Sequence, residues 1–397
     1  MLRQIVTQGG RYNFAEAAKN LRDLAGVEIS PQQVGVLTER LGLEWAERRD
    51  REAVAYQKSE LSRTYAHSSR TAAVLLDGGR LQTRLADAPS GVHQPAWREP
   101  KYACCLTLPW KEGEEDPQPE PPPGFLEPET VGRLVREMER SRGCPAPPEK
   151  LPVRKSGPEA GPKRAAVAKP RARSYMVRTA VATLEGVEHF QRLVAAEVYR
   201  RGLDLATRKG CVCDGGASNW TVYEQELRKL GFVAILDFLH LLTYLYAAAQ
   251  AAGGEAQAGW KLYVQWMRWA WQGQRADLLT ALQEAAARLG EPPDGAAASD
   301  PRQVLARTVT YVVNQMDKMD YPRYRRLGLP WSSAPVEAMI KQFNQRVKGS
   351  EKFWTPAGAE AVLQIRAAEL SEDNRAEREW NQPRPRAAGC RYLRTAA

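Results

Sequence analysis

Two apolar runs that end in the same three residues constrain the fold of this chain more than any other feature. Residues 71–76 close on Asp77-Gly78-Gly79, and residues 210–213 close on Asp214-Gly215-Gly216. Each reads as a buried strand followed by a turn, because a short apolar stretch is ended by residues that favour reversal. A third run of the same kind, residues 232–237, ends on Asp237 and continues into Phe238-Leu239-His240. Order resumes at Ser174-Tyr175-Met176-Val177, ahead of an amphipathic helix over about 185–201 with Phe190, Leu193, Val194 and Val198 inward. A short helix after Trp220 then separates the second run from the third. Strand and helix alternate there, so that part of the sheet is expected to be parallel. Residues 81–85 and 101–108 are expected to add strands in an antiparallel meander, with Trp97-Arg98-Glu99 just before the last. The fold class is therefore mixed α/β.

Helical patterns surround these strands. Over residues 13–50, Phe14, Ala17, Ala18, Leu21 and Leu24 share one face. Ser30-Pro31 then restarts a helix through Val34, Leu37 and Leu41, with serine at the N-cap and proline at the first helical position. A charged helix continues over 39–58. Such a pair is either a helical hairpin that packs or dimerises, or a helix-turn-helix that reads a DNA end. Residues 241–289 read as wholly helical, and their dense tryptophans (Trp260, Trp266, Trp269, Trp271) suit the core of an inserted helical unit. Asp300-Pro301 opens a further helix to residue 320. A last one, capped near Ser333, carries Glu337, Lys341, Arg346 and Lys348.

Residues 112–173 are rich in proline and segregated in charge, with net −7 over 112–139 and net +7 over 142–173. A segment of that composition is not expected to fold alone. The chain divides accordingly. Residues 1–64 are a helical N-terminal segment, 65–111 the first part of the α/β core, and 112–173 a linker. Residues 174–240 are the second part of the core, 241–320 a helical insertion, 321–370 C-terminal core helices, and 371–397 a flexible tail.

Fifty-seven Lys and Arg against 47 Asp and Glu leave a formal charge of +10, which favours a polyanionic partner. No apolar run reaches the roughly 18 residues of a membrane helix, and the N-terminus has no apolar signal-peptide centre. A cytoplasmic, nucleic-acid-binding protein without membrane association is expected. Six cysteines, at 104, 105, 144, 211, 213 and 390, never show the two-residue gap of a zinc knuckle. They read as reduced, mostly buried thiols, with a reactive role left open for Cys211 and Cys213 beside a carboxylate.

Three carboxylates stand where chemistry would need them: Asp77 after the first strand, Asp214 after the fourth, and Glu337 early in a late helix. Taken singly, Asp-Gly-Gly is an ordinary turn and Glu337 with Lys341 an ordinary i,i+4 ion pair. In an RNase H-like sheet, however, the first and fourth strands lie side by side and a late helix crosses the face. Convergent carboxylates bind hard divalent cations such as Mg²⁺ or Mn²⁺, and two such ions support in-line phosphoryl displacement. The segment around Glu337 carries net +5 over 318–354, which suits a helix pressed on DNA. Lys341, Arg346 and Lys348 are its candidate phosphate contacts. His240, three residues after Asp237, either caps a helix or turns with it toward the site.

These residues also carry a resemblance. Asp77-Gly-Gly, Trp97-Arg98-Glu99 before Lys101, Asp214-Gly-Gly-Ala and Ile235-Leu-Asp-Phe-Leu-His240 are followed by Asn314 through Met319-Asp320-Tyr321, then by Val336-Glu337 before Arg346-Val-Lys348-Gly349. In that order and spacing, over residues 21–370, they resemble the DDE transposases of the ISKra-type bacterial insertion-sequence family. The resemblance implies an RNase H-like (retroviral-integrase-like) core interrupted by an all-helical insertion. It implies Asp77, Asp214 and Glu337 as the catalytic, metal-binding triad for two Mg²⁺ (or Mn²⁺) ions, with Asp237 and His240 as an accessory pair. The expected activity is metal-dependent hydrolysis and strand transfer at double-stranded DNA element ends, by a homo-oligomer in the working complex. Two departures stand out: Ser332-Ser333-Ala334-Pro335 replaces a loop that usually contains glycine, and a cysteine-bearing N-terminal DNA-binding part is not found. The alternative is thus a truncated or domesticated copy that binds DNA without cutting it.

Overall fold

The computed structural model describes residues 1–64, 70–84, 96–109, 113–142, 175–349 and 352–382. Within them the strands are β1 (Thr71–Gly78), β2 (Leu81–Thr83), β3 (Ala96–Arg98), β4 (Lys101–Leu108), β5 (Val177–Thr183), β6 (Arg208–Cys213) and β7 (Val233–Leu236). Five of them form one mixed sheet in the order β5-β4-β1-β6-β7. β1 runs parallel to β6 and β6 parallel to β7, while β4 is antiparallel to both β1 and β5. The helical crossover between β6 and β7 makes their parallel pairing possible, as the alternating pattern implies.

The expected meander is corrected in one respect. Residues 81–83 leave the sheet to pair with β3, and β1 turns back directly onto β4. The hairpin's other edge is met by residue 354: the Trp354 N–H donates to Gln82 O (3.2 Å) and the Arg84 N–H to Trp354 O (2.8 Å). The place at the sheet edge is taken by β5 instead, so Asp214 still follows the fourth strand of the sheet.

Three helices, α1 (Leu2–Arg11), α2 (Phe14–Ala25) and α3 (Pro31–Gln57), form the N-terminal segment. Ser30 caps α3 in a reciprocal capping box with Gln33, and Pro31 occupies its first position. The 27-residue α3 is no isolated reading helix, since Val34, Leu41, Trp45 and Ala53 are buried along it. α4 (Pro128–Arg142) lies inside the stretch expected to be a linker. Its Val131, Val135 and Met138 recur at helical spacing and are buried. Phe125 just before it stacks on Phe238 (5.6 Å between centroids, 26°). The acidic half of that stretch therefore folds against the core; the basic half, with Cys144, lies outside the described residues.

After α5 (Val187–Arg200) and α6 (Ala217–Val222) comes the helical unit: α7 (Phe238–Gly253), α8 (Ala256–Trp271), α9 (Arg275–Leu289), α10 (Pro301–Gln315) and α11 (Tyr321–Arg326). Trp266 and Trp271 are buried in it, as core side chains. α12 (Ala334–Val347) and α13 (Pro356–Leu370) follow. α14 (Arg375–Asn381) gives the supposed tail an ordered start, while Cys390 lies outside the described residues. No helix among the described residues is long and apolar enough to cross a membrane.

The pleat sorts the sheet's side chains into two cores. Ala72, Val74, Leu76, Cys105, Cys211 and Cys213 face α5. Ala73, Leu75, Cys104, Val212 and Ile235 face α12, α13 and the helical unit. Asp77, Asp214 and Asp237 continue the second parity at the C-terminal ends of β1, β6 and β7, so all three are carried toward the face that α12 crosses. Cys211 and Cys213 point the other way. They are free, buried thiols with sulfurs 3.6 Å apart, and burial pushes Cys213 well above the ordinary thiol range, so they serve as core and not as nucleophiles.

Candidate metal centre

Asp77 and Asp214 are neighbours by register. Leu76 pairs with Cys213 in the parallel β1–β6 ladder, and each aspartate is the next residue along. The Asp77 Oδ1 accepts its hydrogen bond from the Gly78 N–H (2.7 Å). The Asp214 Oδ1 accepts from the Gly216 N–H (2.9 Å) and from Asn219 Nδ2 (3.1 Å), one turn into α6. Burial, and then the charge of Asp214, push Asp77 up to about 7, with Glu337 adding to the effect and His240 opposing it. Four side chains from β1, β6, α7 and α12 thus share one electrostatic neighbourhood.

Glu337 sits in the first turn of α12, where Val336, Met339, Ile340 and Phe343 bury the opposite face. Its pKa is raised by burial and by Asp237, against the hydrogen bond from Ser333 and the charges of His240 and Lys341. Asp237 is fully buried and serves as the N-cap of α7, accepting from the Leu239 and His240 N–H groups (3.1 and 3.3 Å). It also accepts from the Ser333 N–H (2.9 Å) and Ser333 Oγ (2.8 Å), and it pairs with His240 Nδ1. Burial alone would raise its pKa, but the bonds from His240 and Ser333 hold it below the usual carboxylate range. With both oxygens engaged, Asp237 is a hub that fixes the start of α7 against the start of α12 and sets the orientation of His240.

Ser333 is the residue whose role the sequence concealed. As an N-cap its hydroxyl accepts no hydrogen bond from the backbone of its own helix; it donates toward Asp237 Oδ2 (2.8 Å) and Glu337 Oε1 (2.7 Å) instead. The Ser333 hydroxyl thus ties the Asp237 and Glu337 carboxylates together, and its bond to Glu337 opposes the upward shift that burial and Asp237 impose there.

Asp237, His240 and Glu337 bring ligand atoms within 4.8 Å of one another, a group that could hold a metal ion. Asp77 and Asp214 lie outside that grouping, side by side at the strand ends. A hard divalent cation suits the donors present. Asp77 Oδ2, Asp214 Oδ2 and Glu337 Oε2 take no hydrogen bond from the described residues, and a cation would relieve both the burial and the repulsion from Asp214 that raise Asp77.

The three basic residues of α12 separate. Lys341 is exposed and ion-paired with Glu137 of α4. Lys348, at the C-cap, is exposed. Arg346 is only 2% exposed. Its guanidinium lies between the rings of Phe14 and Trp354 (4.7 Å to each centroid), and its Nε donates to Gly9 O (2.9 Å). Burial, and then Arg366, lower it to about 10. As placed, Arg346 ties α1 and α2 to the core and is not presented to a phosphate backbone, which corrects the reading of it as a DNA contact. Compared with known proteins, the chain matches no family model and no curated protein.

Proposed function

We propose that this chain is a DDE-type DNA transposase of the ISKra-type kind, a metal-dependent enzyme that hydrolyses a phosphodiester at an element end and joins the freed 3′-hydroxyl to target DNA. The observation that carries this reading is that Asp77 and Asp214 end adjacent parallel strands and that the Asp77 carboxyl feels the charges of both Asp214 and Glu337, residues 137 and then 123 apart in sequence. They come from adjacent parallel strands and a late crossing helix, and each has an oxygen that takes no hydrogen bond from the described residues. The sheet order supports an RNase H-like core, since its strands, counted along the chain, lie 3-2-1-4-5 with only the second antiparallel to its neighbours. The helical unit between β7 and α12 has the place of an insertion in such a core.

Asp77, Asp214 and Glu337 would hold two Mg²⁺ or Mn²⁺ ions, with His240 beside Glu337. Such ions would supply the Lewis acidity that activates an attacking water or 3′-hydroxyl and stabilises a leaving oxygen. The chain's own residues do the rest: Asn219 and the Gly216 N–H fix Asp214, Ser333 fixes Glu337, and Asp237 orients His240. Lys348 and Lys341 supply positive surface along α12 for double-stranded DNA, and bringing two DNA ends together calls for a homo-oligomer.

The test is cleavage of a labelled duplex carrying the element ends, with and without Mg²⁺ or Mn²⁺, by wild type and Glu337→Gln. Metal-dependent nicking by wild type that drops at least about 100-fold in the variant, with DNA affinity kept, is expected. Binding without nicking by both proteins would sink the enzyme reading in favour of a non-catalytic DNA-binding protein.

A further inference from the structure

Three tyrosines of the helical unit donate their hydroxyls to main-chain carbonyls at the ends of β6 and β7. Tyr311, on α10, donates to Asp214 O (2.8 Å); Tyr321 and Tyr324, on α11, donate to Leu236 O and Ala234 O (3.1 Å each). β7 is an edge strand, and Ala234 and Leu236 present carbonyls on its open side, so the last two bonds close that edge. The Tyr311 bond is of another kind. It falls on a catalytic-site residue itself, at the turn after β6.

That turn depends on Tyr311 in a second way. Gly215 has φ +97°, a conformation that side chains other than glycine's rarely adopt, and a Cβ there would lie 2.7 Å from Tyr311 Cε2. The tyrosine ring occupies the space that the missing side chain leaves. It is held there by Tyr244 of α7, stacked face to face at 4.0 Å with 6° between planes. Helices α7 and α10 thus clamp the Asp214-Gly215 backbone from one side, while Asn219 and the Gly216 N–H hold the carboxylate from the other.

We propose that the helical unit is a positioning element for the metal centre and that Tyr311 is the residue through which it acts, by fixing the Asp214-Gly215 turn so that the Asp214 carboxylate stays beside Asp77. This rests on the proposed metal-dependent function. Tyr311 touches no reacting atom and is a positioning residue.

The experiment compares wild type, Tyr311→Phe, Tyr324→Phe and Gly215→Ala in full-length protein, measuring Mn²⁺ affinity by calorimetry, single-turnover nicking, DNA affinity and urea midpoint. Tyr311→Phe keeps the ring and removes only the hydroxyl. It is expected to weaken Mn²⁺ binding and slow nicking by about tenfold, the scale for losing a partner that orients a ligand, with DNA affinity unchanged. Excess Mn²⁺ restores part of the rate. Tyr324→Phe removes an equivalent hydrogen bond three residues from Asp237 and is expected to lower the urea midpoint similarly while leaving Mn²⁺ affinity at the wild-type value. Gly215→Ala, which disturbs the same contact from the turn, reproduces the Tyr311→Phe loss. Wild-type Mn²⁺ affinity and rate in Tyr311→Phe, or equal losses in Tyr324→Phe, overturn the proposal while leaving the function intact. A wild type that neither binds Mn²⁺ nor nicks DNA removes the function, and the positioning role with it.

Discussion

Asp77 and Arg346 show how far a single residue's surroundings can move it from its ordinary chemistry. Asp77 is raised to about 7 in the metal-free protein, against roughly 3.9 when unfolded. A carboxyl raised by folding contributes stability that is fully present below its unfolded pKa and is lost as pH rises through its folded pKa. Glu337 is shifted in the same direction. The metal-free melting temperature is therefore expected to fall as pH rises from about 4 through about 7. Mg²⁺ should restore it at about pH 8 but not at about pH 5, where Asp77 is protonated. Asp77→Asn should melt higher than wild type without metal at about pH 8 and gain nothing from Mg²⁺. Thermal scans at both pH values check this, and a metal-free profile that rises between them would contradict it. Arg346 gives a second expectation: Arg346→Ala loses stability and leaves the salt dependence of DNA binding unchanged, whereas Lys348→Ala lowers the salt slope by about one. The two aspartates were legible because apolar runs end on them. Arg346 was not, because its partner Gly9 lies 337 residues away and nothing in a row of bases marks which one is buried.

Elements were legible where a single pattern dominated and lost where two competed. β1, β7 and the last four residues of β6 are continuous apolar runs, and α3 announces its start with Ser30-Pro31. β5 reads as polar, with Arg178, Thr179 and Thr183, yet both threonines are buried. Thr179 donates to Glu197 (2.5 Å) and Thr183 to Glu360 (2.9 Å), partners supplied by other helices. α4 was hidden by its net charge, although its apolar stripe was present. Helix packing supplies the prediction at this scale. Gly42 lies where α3 meets α13, and a Cβ there would run into the Ala361 backbone. Intrinsic propensity alone makes Gly→Ala in a helix favourable by roughly 1 kcal/mol. Backbone cannot yield as a side chain can, so Gly42→Ala is expected to destabilise by about 1–3 kcal/mol instead. Urea unfolding decides the sign, and a stabilised variant would mean that α3 and α13 do not meet at this glycine.

At the scale of the whole molecule, both edges of the sheet are covered by segments that come late in the chain. Tyr321 and Tyr324 close β7; residues 371–375 close β5, where the Ala180 N–H donates to Ser371 Oγ (3.0 Å) and the Glu372 N–H to Arg178 O (2.8 Å). Arg375 completes that seal from inside a buried ion cluster, donating to Glu197 (2.6 Å), which also accepts from Arg200 (2.7 Å). Burial opposes ionisation of Glu197, but Arg200 and Arg375 hold it well below the usual carboxylate range. Removing one partner of such a cluster leaves a buried charge uncompensated, a loss of about 3–5 kcal/mol. The exposed pair Arg3–Glu377 is worth at most about 1 kcal/mol. Arg375→Met is therefore expected to lower the urea midpoint several times more than Arg3→Met. Because it also unseals β5, it should raise concentration-dependent association, read by light scattering, while Arg3→Met does not. Equal midpoints for the two variants would mean that the C-terminal segment only rests on the sheet; a large loss without association would mean that it supports the buried charges but does not guard the edge.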